Sequence, residues 1–232
     1  ALDHGGWNPK SSSSIRFNKD SLIPEELSIN ENKNVVSCFV DAAKRSVEAG
    51  FSAIELHFAH GYLVHQFLSP ISNIREDDYG GSFDSRILLA LEITSSVRKA
   101  VGDEIPLFAR LSVTEYFTEG WNVEDSINLS KELKKSGIDL IDCSAGGNYS
   151  DQKIDIKPGY QVHLSEAVKK EAGILTGAVG LITDPIQAQN ILDNEQADVI
   201  FMAREYLRNP YWALNSERNK SSWPLQYQRS ID

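Results

Sequence analysis

The stretch KELKKSGIDLIDCS, Lys131–Ser144, contains the pattern on which the fold prediction depends. A helix ends at a glycine, and a short apolar run of strand length follows at once. The phrases AGFSAIEL (49–56) and EQADVIFM (195–202) repeat this order of helix end, small residue and apolar run. Apolar strands that alternate with helices are typical of a parallel sheet covered by helices. The repeat therefore predicts an α/β protein.

The same alternation predicts the elements along the chain. Apolar residues at helical spacing predict a first helix from Val36 to Val47, which ends at Gly50. The end of a further strand is expected before His4. The strands are predicted within 51–57, 106–112, 138–144, 174–180 and 197–204, and the other helices within 84–102, 122–137, 164–172 and 185–192.

The positions of the polar residues favour a closed barrel over an open doubly wound sheet. No predicted strand is followed by the G-x-G-x-x-G turn of dinucleotide-binding sheets. Polar and reactive residues instead follow the carboxyl ends of strands, where a barrel has its active site. The sequence thus predicts a (β/α)8 TIM barrel, incomplete at the N-terminus, with about strands 3/4 to 8 present in a single partial-barrel domain over 1–232. The residues at these strand ends are His57, His60, Arg110, 144–147, 177–180 and Arg204.

Composition and charge narrow the choice of partners and compartment. A chain of 232 residues with 41% hydrophobic residues can form a sizeable core. Its net charge of −10 disfavours binding to nucleic acid or to an anionic membrane, so a small molecule is the expected partner. Cys38 and Cys143 lie far apart and do not indicate a disulfide scaffold, so we expect a cytoplasmic protein.

The segment AIELHFAHGYLVHQF, 53–67, raises the question of what its histidines do. For His57 and His60 three interpretations are open: metal ligands, packing residues, or hydrogen-bond donors to a substrate. A zinc site needs a third ligand, and His65 points away from the pair if its segment is helical. A strand-end histidine and a loop histidine that converge on one oxygen favour substrate donation. Tyr62 is close enough in sequence to supply a proton.

Two further motifs each leave two interpretations open. The glycine-rich turn TGAVG (176–180) together with Arg204 is suited to a phosphate, although the glycines can also serve a tight turn while Arg204 pairs with a carboxylate. Arg110 lies inside an apolar strand, where an unpaired charge is costly. It is therefore expected either to meet an anion or electron-rich group at the strand ends, or to form a structural ion pair.

The segment ELHFAHGYLVHQFLSPISNIREDDYGGSFDSR, Glu55–Arg86, closely resembles the Old Yellow Enzyme family of FMN-dependent NADPH dehydrogenases and ene-reductases. The resemblance continues through FARLS, LIDCSAG, PGYQV, TGAVGLIT, MARE and PLQYQR. The His-x-x-His form and the QYQR end are most similar to the bacterial, thermophilic-like subclass. The resemblance implies a flavin barrel in which NADPH or NADH reduces FMN, and hydride then passes to the activated C=C bond of an α,β-unsaturated carbonyl compound.

The resemblance also implies roles for individual residues. His57 and His60 match the pair that binds the carbonyl oxygen of the substrate, and Tyr62 matches the residue that protonates the α-carbon, which leaves His65 as a helix-packing residue. Other residues match family positions that bind the cofactor or contact a second subunit. Arg110 matches the arginine beside N1 and O2 of the flavin, and Gly180, Ala203 and Arg204 match the FMN phosphate site. Arg229 matches an arginine that reaches the active site of a neighbouring subunit and binds substrate there, which implies a homo-oligomer.

The sequence departs from the family pattern at several positions. Ala1 stands where a flavin-binding glutamine is expected, Trp7 where arginine is expected, and Ala203 where glycine precedes the phosphate arginine. The first two strands of the family barrel have no counterpart, so an N-terminally truncated chain is expected. Two alternatives remain: a catalytically silent barrel with a binding or assembly role, and a flavin-free, phosphate-binding barrel enzyme, which would need a lysine or glutamate at a strand end.

Overall fold

The computed structural model describes residues 5–217 and 223–230, so Ala1 and the strand end expected before His4 lie outside the described residues. A short parallel pair, β1 (Lys10–Ser11) with β2 (Glu25–Glu26), precedes the main sheet. The main sheet is parallel and its strands follow one another in sequence order. Its strands are β3 (Ile54–Phe58), β4 (Leu107–Ser112), β5 (Leu140–Ser144), β6 (Leu175–Ala178) and β7 (Val199–Ile200).

Helices connect each strand of the main sheet to the next. No helix among the residues that the structure describes combines the length and apolar content needed to cross a membrane. The helices are α1 (Ile29–Glu48), α2 (Leu63–Leu68), α3 (Phe83–Val101), α4 (Val123–Lys135), α5 (Val162–Ala172), α6 (Pro185–Asp193), α7 (Arg204–Arg208) and α8 (Trp212–Ser216), followed by a 3-10 turn at Gln228–Ser230.

This arrangement confirms the predicted alternation and the α/β class. Within the main sheet, strands that are consecutive in sequence are paired in parallel from β3 to β7, which is the winding of a barrel. A doubly wound sheet would instead reverse its strand order at a switch point. The carboxyl ends of the five main-sheet strands therefore lie along one edge, where the predicted site residues were expected.

Two predicted boundaries were wrong. The first helix begins at Ile29 instead of Val36, because Ser28 and Glu31 form a capping box: the Glu31 N–H donates to Ser28 Oγ at 3.3 Å and the Ser28 N–H to Glu31 Oε2 at 2.8 Å. The last strand ends at Ile200 instead of Arg204, because its ladder with β6 extends over two residue pairs. Arg204 is thus the first residue of α7.

The core explains why the strands are apolar on both faces. Every residue of β5 is buried, because the sheet has helices on one side and the interior of the strand array on the other. Helix α3 packs on α1, α2 and α4, so it is central to the helical layer. The largest fully buried side chains include Trp121, Phe58, Phe67, Leu89, Ile93, Leu107, Leu111, Leu129, Leu133, Ile141 and Leu164.

A buried arginine ties the N-terminal segment to the loop after α2. The Nη1 atom of Arg75 donates to the carbonyl oxygens of Ser12 at 2.9 Å and Leu27 at 2.6 Å. Its Nη2 atom is 2.5 Å from Oδ2 of Asp77. These bonds satisfy a guanidinium group that is almost completely buried, and they fix the segment around Ser12 against the loop after α2.

Candidate active site

A row of polar residues crosses the sheet near the carboxyl ends of its strands. His57 on β3 pairs in register with Arg110 on β4, Arg110 with Asp142 on β5, and Asp142 with Gly177 on β6. Residues in register on parallel strands project from the same face of the sheet. The row therefore places an imidazole, a guanidinium group and a carboxylate next to one another beside a position without a side chain.

The predicted histidine and tyrosine residues come together at one end of this row. The ring centroids of His57 and His60 are 5.2 Å apart, and those of His57 and Tyr62 are 5.4 Å apart. His57 lies in β3, His60 in the following loop, and Tyr62 at the N-cap of α2. Tyr62 is 64% exposed, so its hydroxyl is open to a ligand. The strand residue and the loop residue therefore lie close together, and their binding to one substrate atom stays a prediction.

His60 is held by two serines at equivalent strand ends. Its backbone N–H donates to Ser112 Oγ at 2.9 Å, and its Nε2 atom is 2.7 Å from Ser144 Oγ. Ser112 and Ser144 are register partners on β4 and β5. A neutral imidazole has one N–H and one lone pair, so with Nε2 facing Ser144 the nitrogen left for a ligand is Nδ1.

The loop that carries His60 has an unusual backbone. His60 itself is in the left-handed region with φ of 61°, and Gly61 follows with φ of 72°. A Cβ atom on Gly61 would lie 2.1 Å from the carbonyl oxygen of Gly147. Glycine is therefore needed at 61 both for the backbone angle and for the close approach of the loop after β5. The two loops support each other.

The environment keeps both histidines neutral near pH 7. Burial, with a smaller effect from the charge of Arg110, lowers the pKa of His57 below its ordinary value. Burial, followed by the charges of His57 and Arg110, lowers the pKa of His60 to about 4. Neutral imidazoles can donate one hydrogen bond each without bringing a positive charge to the site.

Arg110 forms a structural ion pair, which was one of the two predicted interpretations, and its geometry also permits the other, contact with an anion or electron-rich group. Its Nε atom is 2.6 Å from Oδ2 of Asp142 and 3.8 Å from Oε1 of Glu55, so it forms a structural ion pair. Burial raises the pKa of Asp142 to about 7, against the opposing effect of the Arg110 charge. No described residue makes a hydrogen bond to the two terminal nitrogens of Arg110. These nitrogens are available to an anion or an electron-rich atom.

The residues expected at a phosphate are less closely connected. Gly180 has φ of 126°, and its carbonyl oxygen accepts a hydrogen bond from the Gly159 N–H at 2.9 Å. Ala203 and Arg204 are exposed at the start of α7, and within the described chain Arg204 has no hydrogen-bond or ion-pair partner. Arg229 is exposed in the C-terminal 3-10 turn, and no contact joins it to the histidine pair. The roles of these four residues stay predictions.

His65 is buried, as expected of a packing residue, but its contacts are polar. It lies in α2, and its Nδ1 atom accepts a hydrogen bond from the Gly61 N–H at 2.9 Å. Its Nε2 atom faces Oε1 of Glu115 at 3.2 Å. Among the described residues, no group of three or more His, Cys, Asp or Glu side chains is placed to hold a metal ion.

Two of the residues that build the site, Ser112 and Asp142, did not emerge from the sequence as site residues, and Ser144 emerged only as part of the strand-end segment 144–147, without a role of its own. Ser112 holds the backbone of His60, Ser144 contacts its ring, and Asp142 pairs with Arg110. A signal was present for the two serines. FARLS and LIDCS both end a predicted strand in serine, and parallel strands in register bring such equivalent ends together.

Comparison with known proteins identifies the class to which this fold and site belong. The family model described as "NADH:flavin oxidoreductase / NADH oxidase family" matches residues 7–222. The chain belongs to the NADH:flavin oxidoreductase / NADH oxidase family.

Curated relatives agree with this assignment. The chain is 44% identical over 220 residues to an NADPH dehydrogenase of Geobacillus thermodenitrificans and 46% identical over 221 residues to an NADPH dehydrogenase of Bacillus pumilus. Each alignment covers 94% of this chain and 64% of the relative. The chain therefore spans slightly less than two thirds of the length of these relatives.

Solved structures share the fold. A 2-naphthoyl-CoA reductase complex is 25% identical with a TM-score of 0.82, and the alignment covers 88% of this chain and 32% of that one. An Old Yellow Enzyme homologue from Zymomonas mobilis is 24% identical with a TM-score of 0.72, covering 88% of this chain and 59% of that one. The family model and the curated relatives confirm the family resemblance, and the solved structures confirm the partial-barrel fold.

Proposed function

We propose that this chain forms part of an FMN-dependent NAD(P)H oxidoreductase that reduces the activated C=C bond of α,β-unsaturated carbonyl compounds. The observation that carries the proposal is the convergence of His57, His60 and Tyr62 at the end of the row that contains Arg110. The family assignment and the names of the two curated relatives support flavin and NADPH as cofactor and reductant.

The residues present fit a bound FMN. The terminal nitrogens of Arg110 have no hydrogen-bond partner within the described chain. Arg110 would hold the electron-rich edge of the flavin ring, and Gly180, Ala203 and Arg204 would hold its phosphate. When bound, FMN supplies hydride transfer from a nicotinamide to the carbon–carbon double bond of the substrate.

The two histidines would bind the carbonyl oxygen of the substrate. Both are neutral near pH 7, because burial lowers the pKa of each, and a neutral ring donates one N–H. With Nε2 of His60 facing Ser144, the Nδ1 side of that ring is the one that serves the substrate. Donors fixed in advance at an oxygen that gains negative charge stabilise the transition state more than the ground state.

Tyr62 would supply the proton for the α-carbon. Its ring packs on His57, and its hydroxyl is open to the same space. The N-cap position at the start of α2 fixes its backbone in an extended conformation. A tyrosine so placed can hold a proton beside a substrate whose carbonyl oxygen is bound by the neighbouring histidine.

We also infer a subunit contact at the C-terminal segment. Arg229 is exposed there, and Leu225 nearby is 77% exposed although it is apolar. An arginine beside exposed apolar side chains is the composition that protein interfaces favour. In a homo-oligomer, Arg229 would reach the active site of the neighbouring subunit, as the resemblance implies.

Substitution of the histidines tests the proposed function. In the FMN-loaded chain, His57→Ala or His60→Ala is expected to weaken the binding of a phenol at least about tenfold, because one hydrogen bond to a charged oxygen is lost. Reduction of the flavin by NADPH should continue, because these donors contact the substrate oxygen. His163→Ala, an exposed histidine on α5, is the matched control.

Three outcomes separate the alternatives. Loss of FMN retention without an effect on phenol binding would contradict the proposed roles of the pair. A chain that binds no FMN under any condition favours the silent barrel. Phosphate-ester binding without FMN binding favours the flavin-free enzyme.

A further inference from the structure

A buried histidine and glutamate lie directly behind the loop that carries His60. His65 is fully buried, and its Nδ1 atom accepts from the Gly61 N–H at 2.9 Å. That bond occupies the lone pair of a neutral ring on Nδ1, so the ring proton is on Nε2. The Nε2 atom lies 3.2 Å from Oε1 of Glu115, so the pair is in close polar contact.

Glu115 is a completely buried carboxylate surrounded by donors. Its Oε2 atom accepts from Ser69 Oγ at 2.8 Å and from the Trp121 N–H at 2.7 Å, and its Oε1 atom accepts from Asn148 Nδ2 at 2.7 Å. Burial acts to raise its pKa, but the interaction with His65 and the hydrogen bonds from the Trp121 N–H and Asn148 outweigh burial and hold the pKa below the ordinary value. A carboxylate in this position is therefore ionised and fully used as an acceptor.

The pair holds a backbone that would not adopt its conformation unaided. His60 and Gly61 are consecutive residues in the left-handed region, and His60 has a side chain that disfavours this region by about 1 kcal/mol or more. The bond from Gly61 to His65 fixes the loop from one side. Asn148, bonded to Glu115, fixes the loop after β5, whose Gly147 packs against the backbone of His60.

We propose that His65 and Glu115 are positioning residues that hold the His60–Gly61 backbone, and with it the His60 ring, in the orientation that binds the substrate oxygen. The proposal deepens the proposed function, on which it rests for the role of His60. Neither side chain is exposed, so the pair acts through Gly61 and not by contact with a ligand.

Two substitutions at position 65 separate positioning from simple packing. His65→Leu keeps most of the side-chain volume but removes the hydrogen bond from the Gly61 N–H and the polar contact with Glu115, whereas His65→Asn keeps an acceptor for the Gly61 N–H. Ser165→Ala is the control, because Ser165 is equally buried and bonded to the carbonyl oxygens of Val162 and Gln196, far from the loop in sequence.

The first measurements need no flavin. Hydrogen exchange of the Gly61 amide and the NMR titration of the His60 ring are followed in the purified chain. For His65→Leu we expect Gly61 exchange to accelerate at least about tenfold, and the pKa of His60 to rise towards its ordinary value as the ring becomes more hydrated. His65→Asn should retain most of the exchange protection, and Ser165→Ala should change neither quantity.

The second measurement is phenol affinity in the FMN-loaded protein. His65→Leu is expected to raise the phenol Kd about tenfold while the FMN Kd stays within about twofold. An unchanged His60 titration together with an unchanged Gly61 exchange rate in His65→Leu would overturn the proposal. If FMN does not bind, the proposed function fails, but the exchange and titration results still decide whether His65 positions His60. Should His65→Leu not fold, Glu115→Gln is measured in the same way.

Discussion

At the scale of single residues, the site depends on neutral side chains held in place by buried polar partners. His60 illustrates this: two serines and a left-handed backbone fix it, and burial lowers its pKa to about 4. Arg110 illustrates the complementary case, since one nitrogen is paired with Asp142 while the terminal nitrogens stay open to a ligand. In Arg110, one nitrogen therefore forms a structural ion pair, while the terminal nitrogens are open to a ligand.

The lowered pKa of His60 predicts how stability changes with pH. The unfolded chain protonates this ring near its ordinary pKa of 6.5, whereas the folded chain does so only near about 4. Between these values the unfolded state binds more protons, so the free energy of unfolding falls as the pH falls. Asp142 acts in the opposite direction, because its raised pKa lets the folded state bind more protons between its ordinary value and about 7.

His60→Asn removes the contribution of the His60 ring to the pH dependence of the free energy of unfolding. Asparagine also tolerates the left-handed region. Between about pH 6.5 and about pH 4.5, the unmodified chain should lose about 1 to 2 kcal/mol more stability than the variant, after allowance for the partial exposure of the ring. Urea unfolding at several pH values measures this difference, with His163→Asn as the exposed control. Parallel pH profiles for the unmodified chain and His60→Asn would show that the ring is not desolvated.

At the scale of elements, local signals determined the helices and strands, whereas contacts between elements determined the site. The helix predicted within 122–137 is confirmed, and Asn122 and Asp125 form the capping box of α4 at its start. Helix α2 has six residues, too few to show a helical period, so its apolar run gave no clear signal. The contact between His60 and Ser144 spans 84 residues, and no local pattern contains it.

A pair of glycines tests the close approach of the two loops. Gly61 and Gly81 both have positive φ, of 72° and 79°, but only at Gly61 would a Cβ atom meet another backbone, whereas at Gly81 it would meet nothing within 4 Å. Gly81→Ala should therefore cost about 1 kcal/mol from backbone strain alone. Gly61→Ala should cost more than about 3 kcal/mol, because the loops must separate. Chemical denaturation compares the two variants, and equal costs would mean that the loops do not support each other.

At the scale of the whole molecule, the winding of the sheet brings residues from distant segments to one edge. The repeated strand and helix order predicted this winding, and the sequential parallel strands confirm it. The resemblance to the family was confirmed by the family model and by the curated relatives. The single domain over 1–232 stays a prediction, as do the roles of Gly180, Ala203, Arg204 and Arg229.

The most direct test of the flavin chemistry is the visible absorption spectrum of the FMN-loaded chain, recorded without oxygen. The proposed function predicts that NADPH bleaches the bound flavin and that an α,β-unsaturated ketone then restores the oxidised spectrum, with one alkene reduced for each flavin reoxidised. A flavin spectrum that NADPH leaves unchanged, or a reduced flavin that persists after the ketone is added, would contradict it.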